Sequence, residues 1–161
     1  MRGYAELEIF SVDELELWRR ATLLVAAVDE AYFPDLRCHE LARAVGTVLK
    51  LPVQDGHYGF VDHSWLWTKP LGETMGRVGF PNLLDVYCVG AMPLVRLVDG
   101  GHTSLPHVGW AYRPDAERTD IDRDVVTRLL GVFEGVIAQT DAPQARGEPY
   151  ARLVGRLCRK P

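Results

Sequence analysis

The stretch that decides the fold reads RCHELARAVGTVLK over residues 37–50, VQDGHYGFVDHSWLWT over 53–68 and NLLDVYCV over 82–89. The first segment has apolar residues at helical spacing, which predicts a helix with Cys38 in its first turn and on its core side. The other two segments predict antiparallel strands at about 53–59, 63–68 and 83–89. Because side chains alternate along a strand, Trp65 and Trp67 are expected on the same face as His63.

Helices are predicted on both sides of this stretch. Ser11, followed three residues later by Glu14, forms a capping box that starts the first helix. Asp35 is the predicted cap of the Cys38 helix, and Asp120 is the predicted cap of a long helix with an acidic first turn. The remaining predictions are a short edge strand or an ordered arm at 5–10, a strand at 94–98, irregular chain at 99–114, a turn at 141–148 and a last helix at 149–158. This order predicts a single α+β domain over 1–161, with helices packed on a small antiparallel sheet.

Composition narrows the function classes. The 161 residues carry a net charge of −4, and acidic and basic residues are interspersed without a Lys/Arg block. This pattern argues against a nucleic-acid or membrane partner. No apolar run is long enough to span a bilayer, and acidic residues stand where a signal peptide would be apolar. Three widely spread cysteines are typical of reduced thiols, so we predict a cytoplasmic protein.

Three residues of the central stretch suggest a chemistry. A thiol becomes a strong nucleophile when it loses its proton, and a helix N-terminus and a nearby imidazolium both favour that loss. Cys38 is therefore the predicted nucleophile, His63 the general base and Asp85 the residue that orients the imidazole. Asp62 competes for the orienting role, but it lies on the opposite face of the strand from His63. His39 follows Cys38 on the helix and is expected to point about 100° away.

The motifs around these residues resemble a known family. A cysteine at a helix start, His-Ser-Trp at 63–65 and Leu-Leu-Asp-Val-Tyr at 83–87 are similar to the core of the transglutaminase-like superfamily. The resemblance covers roughly residues 36–88. It implies a papain-like core and a cysteine hydrolase or acyltransferase, with Cys38 as nucleophile, His63 as general base and acid, and Asp85 as orienter. It also implies a peptide, protein or small acyl substrate and no cofactor. The sequence departs from the family in its short Cys-to-His spacing and in Val86, where a proline is common.

Residues near the predicted triad suggest where a substrate binds, and two alternatives stay open. His57, Tyr58 and Trp65 are candidate substrate-binding residues, although the pattern also fits Trp65 as a core residue. The loop at 69–81 is a candidate flap, and the loop at 100–113 is a candidate surface for a protein partner. One alternative is a zinc site, whose four candidate ligands are Cys38, His57, His63 and Asp85. The other is a non-catalytic binding module on the same scaffold.

Overall fold

The computed structural model of this protein describes residues 10–69, 81–100 and 112–141. In chain order its elements are α1 (Val12–Ala26), α2 (Cys38–Leu49), β1 (Val53–Tyr58), β2 (Val61–Trp67), β3 (Leu83–Val89), β4 (Met92–Val98), β5 (Tyr112–Pro114) and α3 (Arg123–Asp141). The five strands form one antiparallel sheet in the order β4-β3-β2-β1-β5. The predicted α+β class, with the Cys38 helix packed on an antiparallel sheet, is confirmed. Within these ranges, no helix is long and apolar enough to cross a membrane.

Several sequence predictions fall outside the described residues. They are the first strand except for its last residue, nearly all of the candidate flap at 69–81, most of the candidate partner loop at 100–113, the turn after residue 141, and the last helix at 149–158.

The core lies between the three helices and one face of the sheet. Helix α2 packs on β2 and β3, α3 packs on α2, and α1 packs on β4. Leu66, Leu84 and Val86 supply the sheet side of this cluster. A Cβ on Gly46 would lie 2.8 Å from Leu66 Cδ2, so the missing side chain of this glycine lets α2 approach the sheet closely. The opposite face of the sheet carries a smaller cluster that contains Trp65, Trp67, Leu83 and Tyr112.

The predicted capping residue is right for α1 and wrong for the other two helices. The backbone N–H of Glu14 donates to Ser11 Oγ, and the backbone N–H of Ser11 donates to Glu14 Oε1, both at 3.2 Å, so the capping box is confirmed. Asp35 does not cap α2, because it lies in a turn and the cap position belongs to Arg37. At the start of α3, Asp122 Oδ1 accepts from two backbone N–H groups at 3.0 and 3.2 Å, in place of the predicted Asp120.

The fifth strand is a second difference from the sequence prediction. Residues 112–114 belong to the stretch predicted as irregular, yet they pair with β1 as an edge strand. A strand of three residues that ends in proline carries no alternation that a pattern would detect. Gly56 makes the pairing possible, since a Cβ there would lie only 2.0 Å from the carbonyl oxygen of Arg113. The pairing matters because it places Tyr112 beside the candidate site.

Candidate active site

Cys38, His63 and Asp85 meet where the start of α2 approaches β2 and β3. Cys38 is the first residue of α2, and its Sγ lies 3.2 Å from His63 Nδ1. On the other side of the ring, His63 Nε2 lies 2.6 Å from Asp85 Oδ1. His63 is 8% exposed, and Asp85 has no exposed surface. The structure thus brings together the three predicted residues in the order thiol, imidazole and carboxylate.

The sheet is open at this position. Strands β2 and β3 are paired only at Leu66–Leu84 and Trp67–Leu83, and beyond these pairs the bond from His63 to Asp85 joins the two strands. Cys38 contacts His63 in this opening. The N-cap residue of its helix is Arg37, which makes no side-chain capping bond to the first turn. The helix dipole at this end favours a negative charge on the sulfur.

The charges of the thiol and the imidazole are coupled. Burial raises the pKa of Cys38, but hydrogen bonds from His39 and His63 outweigh it and lower this pKa to about 6. Burial lowers the pKa of His63, but the hydrogen bond to Asp85 and the contact with Cys38 raise it to about 9. Between about pH 6 and about pH 9 the two groups therefore form a thiolate–imidazolium pair. By contrast, burial and the negative charge of Cys38 raise the pKa of Cys88 to about 11.

Two residues that the sequence analysis did not identify hold Asp85. Its Oδ2 accepts from Tyr112 Oη at 2.6 Å, and from Arg96 Nε and Nη2 at 3.1 and 3.0 Å. Burial raises the pKa of Asp85, but the hydrogen bonds from His63 and Tyr112 and the charge of Arg96 lower it overall. Burial and the neighbouring carboxylate raise the pKa of Tyr112, so its hydroxyl keeps the proton that it donates. Asp85 is therefore an ionised acceptor on both oxygens.

The sequence contained a signal for Arg96. Arg96 interrupts the apolar run of β4, as Asp85 interrupts the apolar run of β3. A charge inside an apolar strand needs a partner, and two such strands next to each other suggest that the charges pair. The antiparallel register places Asp85 directly opposite Arg96. No comparable signal pointed to Tyr112, because its contact depends on the unpredicted strand β5.

Tyr58 and Trp65 lie on the triad side of the sheet, but only Tyr58 is open to solvent. Tyr58 is 41% exposed, and the centroid of its ring lies 6.1 Å from that of His63. Trp65 has no exposed surface, and its ring lies 6.3 Å from His63 and 5.4 Å from Tyr112. Trp65 therefore supports the His63 ring from within the fold, which is its predicted core role, and offers no surface to a substrate. Tyr58 remains a candidate contact, with the Arg96 guanidinium carbon 5.2 Å from its ring centroid.

The structure does not bring His57 to the triad. Tyr58, its neighbour on β1, faces His63, so His57 lies on the other face of the sheet. There its Nδ1 is 3.1 Å from Asp62 Oδ1 and its Nε2 is 3.1 Å from Asp115 Oδ2. The predicted substrate contact by His57 does not fit this position, and neither does its place in a zinc site. In the part of the chain that is described, no group of three or more His, Cys, Asp or Glu side chains is arranged to hold a metal ion.

Comparison with known proteins does not assign the chain to a family. A scan of protein-family models, a search of curated proteins and a search of solved structures each found no match for the chain.

Proposed function

We propose that this protein is a cysteine-dependent hydrolase or acyltransferase that acts on an amide, ester or thioester carbonyl. One observation carries the proposal: the Cys38 Sγ, at a helix N-terminus, is 3.2 Å from His63 Nδ1, and His63 Nε2 is 2.6 Å from the buried Asp85. A nucleophile, a base and a group that orients the base are the requirements for acyl transfer through a covalent intermediate.

The cycle follows from the charges of the pair. The Cys38 thiolate attacks the carbonyl carbon. The donors for the oxygen that becomes negative are backbone N–H groups in the first turn of α2, which have no partner within the helix. When the tetrahedral intermediate collapses, the bond to the leaving group breaks and His63 Nδ1–H gives that group its proton. The neutral His63 then takes a proton from water or an amine, which attacks the thioester. Release of the acid or amide product restores the thiolate and the imidazolium.

Asp85 fixes which nitrogen of His63 takes part. The ionised carboxylate can only accept a hydrogen bond, so His63 Nε2 keeps its proton and Nδ1 faces the sulfur. Arg96 and Tyr112 occupy the second oxygen of Asp85 and prevent it from turning away. These two residues act through Asp85 and are therefore positioning residues.

The finer assignments rest on the sequence. We propose that the fold belongs with the papain-like, transglutaminase-like cores, that the substrate is a peptide, a protein or a small acyl compound, and that the protein is cytoplasmic. Val86, where a proline is common in that family, has no exposed surface and packs in the main core. The departure at Val86 therefore lies on the helix side of β3, away from the Asp85 carboxylate.

The test uses para-nitrophenyl acetate, a small activated ester. We expect a burst of nitrophenolate of about one equivalent per protein, and an acetyl group on the Cys38 peptide by mass spectrometry. Cys38→Ala should abolish both signals, whereas Cys88→Ala, at a thiol with a raised pKa, should keep them. For steady-state turnover, kcat/KM should rise with pH near 6, as the thiolate forms, and fall near 9, as the imidazolium is lost.

The same experiment separates this proposal from the binding-module alternative. If Cys38 forms no acyl adduct with this ester or with a matching thioester, the triad is residual and the enzyme proposal fails. An acetyl group that appears equally on Cys88 would mark non-specific acylation and would count against the proposal as well.

A further inference from the structure

A second imidazole lies at the same sulfur. His39 is only 5% exposed, and its Nδ1 is 2.7 Å from Ser64 Oγ and 3.8 Å from Cys38 Sγ. The second distance is within reach of a weak N–H···S hydrogen bond. The position of His39 one residue after Cys38 predicts that it points away from the thiol, and its ring is indeed directed to Ser64. Even so, one edge of the ring comes close to the thiol.

The chain of hydrogen bonds behind His39 ends at a buried ion pair. Asp55 is 4% exposed, and Arg43 donates to its Oδ1 at 3.1 Å and to its Oδ2 at 2.6 Å. The backbone N–H of Arg118 donates to Oδ2 at 2.9 Å. Burial raises the pKa of Asp55, but the hydrogen bonds from Arg43 and from the Arg118 N–H lower it overall. Asp55 is therefore ionised and can only accept hydrogen bonds.

The ionised Asp55 determines which group donates and which accepts in each hydrogen bond between it and His39. Because Asp55 only accepts, the single hydroxyl proton of Ser64 must point to Asp55 Oδ1. Ser64 Oγ then has only lone pairs left for His39. His39 Nδ1 must therefore carry a proton, which it donates to the Ser64 oxygen at 2.7 Å, and the Cys38 sulfur at 3.8 Å is a second acceptor beside the same nitrogen.

His63 and His39 consequently both face the thiol with Nδ1, but this nitrogen can exchange a proton in His63 and keeps its proton in His39. The proton on Nε2 of His63 is held by Asp85, so its Nδ1 is free to take and return the thiol proton. The proton on Nδ1 of His39 is held in place by Ser64, so this nitrogen can only donate. One ring is suited to move a proton and the other to supply a constant donor.

We propose that His39 is a fixed N–H donor to the Cys38 sulfur, held in its tautomer by the positioning residues Ser64, Asp55 and Arg43. This inference rests on the proposed role of the Cys38 thiolate and deepens it. His63 gives its proton to the leaving group during acylation, and it stays neutral in the acyl-enzyme until the attacking water or amine returns a proton to it. His39 keeps its N–H throughout, so it would stabilise the thiolate when sulfur leaves in deacylation.

The first test reads the tautomers directly in the unmodified full-length protein. Nitrogen-15 NMR correlation of the ring nitrogens at pH 7.5 should show a proton on Nδ1 of His39 and a proton on Nε2 of His63. A His39 ring that carries its proton on Nε2 and none on Nδ1 would overturn the proposal. No variant is required for this measurement, so a failure to fold cannot obscure it.

The second test measures the pH midpoint of Cys38 alkylation by iodoacetamide in four variants. His39→Leu removes the donor and should raise the midpoint by about one pH unit, whereas His39→Asn keeps an N–H near the same place and should leave it close to the parent value. Ser64→Ala frees the His39 ring and should also raise the midpoint. His57→Leu is the matched control, because the His57 ring is held by Asp62 and Asp115 and takes no part in the chain from Asp55 through Ser64 to His39, and it should not move the midpoint.

The outcomes separate this inference from the proposed function. If His39→Leu leaves the midpoint unchanged while the ester burst persists, His39 is a structural residue and only the inference fails. If the burst is absent but the midpoint still depends on His39 and Ser64, the acyl-transfer proposal fails and the donor role stands. Should His39→Leu not fold, the tautomer measurement and Ser64→Ala decide the question.

Discussion

Alkylation of Cys38 by iodoacetamide should reach half of its limiting rate at a pH of about 6. At pH 7 a thiol with that pKa is about 90% thiolate, whereas a thiol at the ordinary value of 9.0 is about 1% thiolate. The donors that produce this difference are the two imidazoles at the sulfur, 3.2 Å away for His63 and 3.8 Å away for His39.

The midpoint is a sharper measurement than the absolute rate. A thiolate of lower pKa is also less nucleophilic, and for a difference of three units this effect costs roughly twentyfold in rate. The net advantage of Cys38 over an ordinary thiol at pH 7 is therefore only about fourfold. The loss of nucleophilicity scales the whole pH profile by one factor and does not move its midpoint, so the midpoint reports the pKa alone.

Peptide-resolved mass spectrometry gives the rate at each cysteine in the same sample. Cys38 labelling should be nearly flat between pH 7.5 and 8.5, whereas labelling of Cys88, with its pKa near 11, should still rise about tenfold per pH unit. His63→Ala removes the nearest donor and should move the Cys38 midpoint upward by about one unit or more. A Cys38 rate that climbs tenfold per unit through this range would refute the thiolate–imidazolium pair.

Three other predictions concern stability. Gly56→Ala places a Cβ 2.0 Å from the Arg113 carbonyl oxygen, and since backbone cannot yield as a side-chain tip does, the variant should lose the β1–β5 pairing and melt at a lower temperature. Gly131→Ala, on the exposed side of α3 with nothing within 4 Å of the new Cβ, should instead gain about 1 kcal/mol in urea unfolding. Ser11→Ala removes the oxygen that caps the Glu14 N–H and should cost about 1 kcal/mol. A Gly56→Ala protein as stable as its parent would show that β5 does not pair with β1.

The sequence predicted what depends on short spacing. The capping box at Ser11 involves residues three apart, and the strand faces follow from simple alternation. The triad also follows from local features: Cys38 begins a helix, while His63 and Asp85 lie on successive strands, so neighbouring elements bring them together. Each of these predictions needs only the identity of an element and the order of the chain.

The sequence could not predict what depends on long-range register. The role of His39 is fixed by Ser64 and Asp55, and it follows from which group donates in a chain of three hydrogen bonds across different elements. Tyr112 contacts Asp85 only because a glycine lets a three-residue edge strand approach β1. The cap at Asp35 failed because a turn separates this residue from the helix, and many polar residues near a helix start are equally plausible caps.

Two hydrogen-bond networks reach the Cys38 sulfur, one through His63 and one through His39. Both can do so because β2 and β3 are not paired where α2 begins. His63 and Ser64 are neighbours on β2, so their side chains leave opposite faces of the strand. In a continuous ladder a group on one side of the sheet would contact only one of them. Here the β2–β3 pairing stops at Leu66, and the start of α2 reaches His63 through Cys38 and Ser64 through His39. The break in the ladder therefore lets two adjacent residues of one helix use both faces of one strand. One contact supplies a base that exchanges its proton, and the other supplies a donor that keeps it.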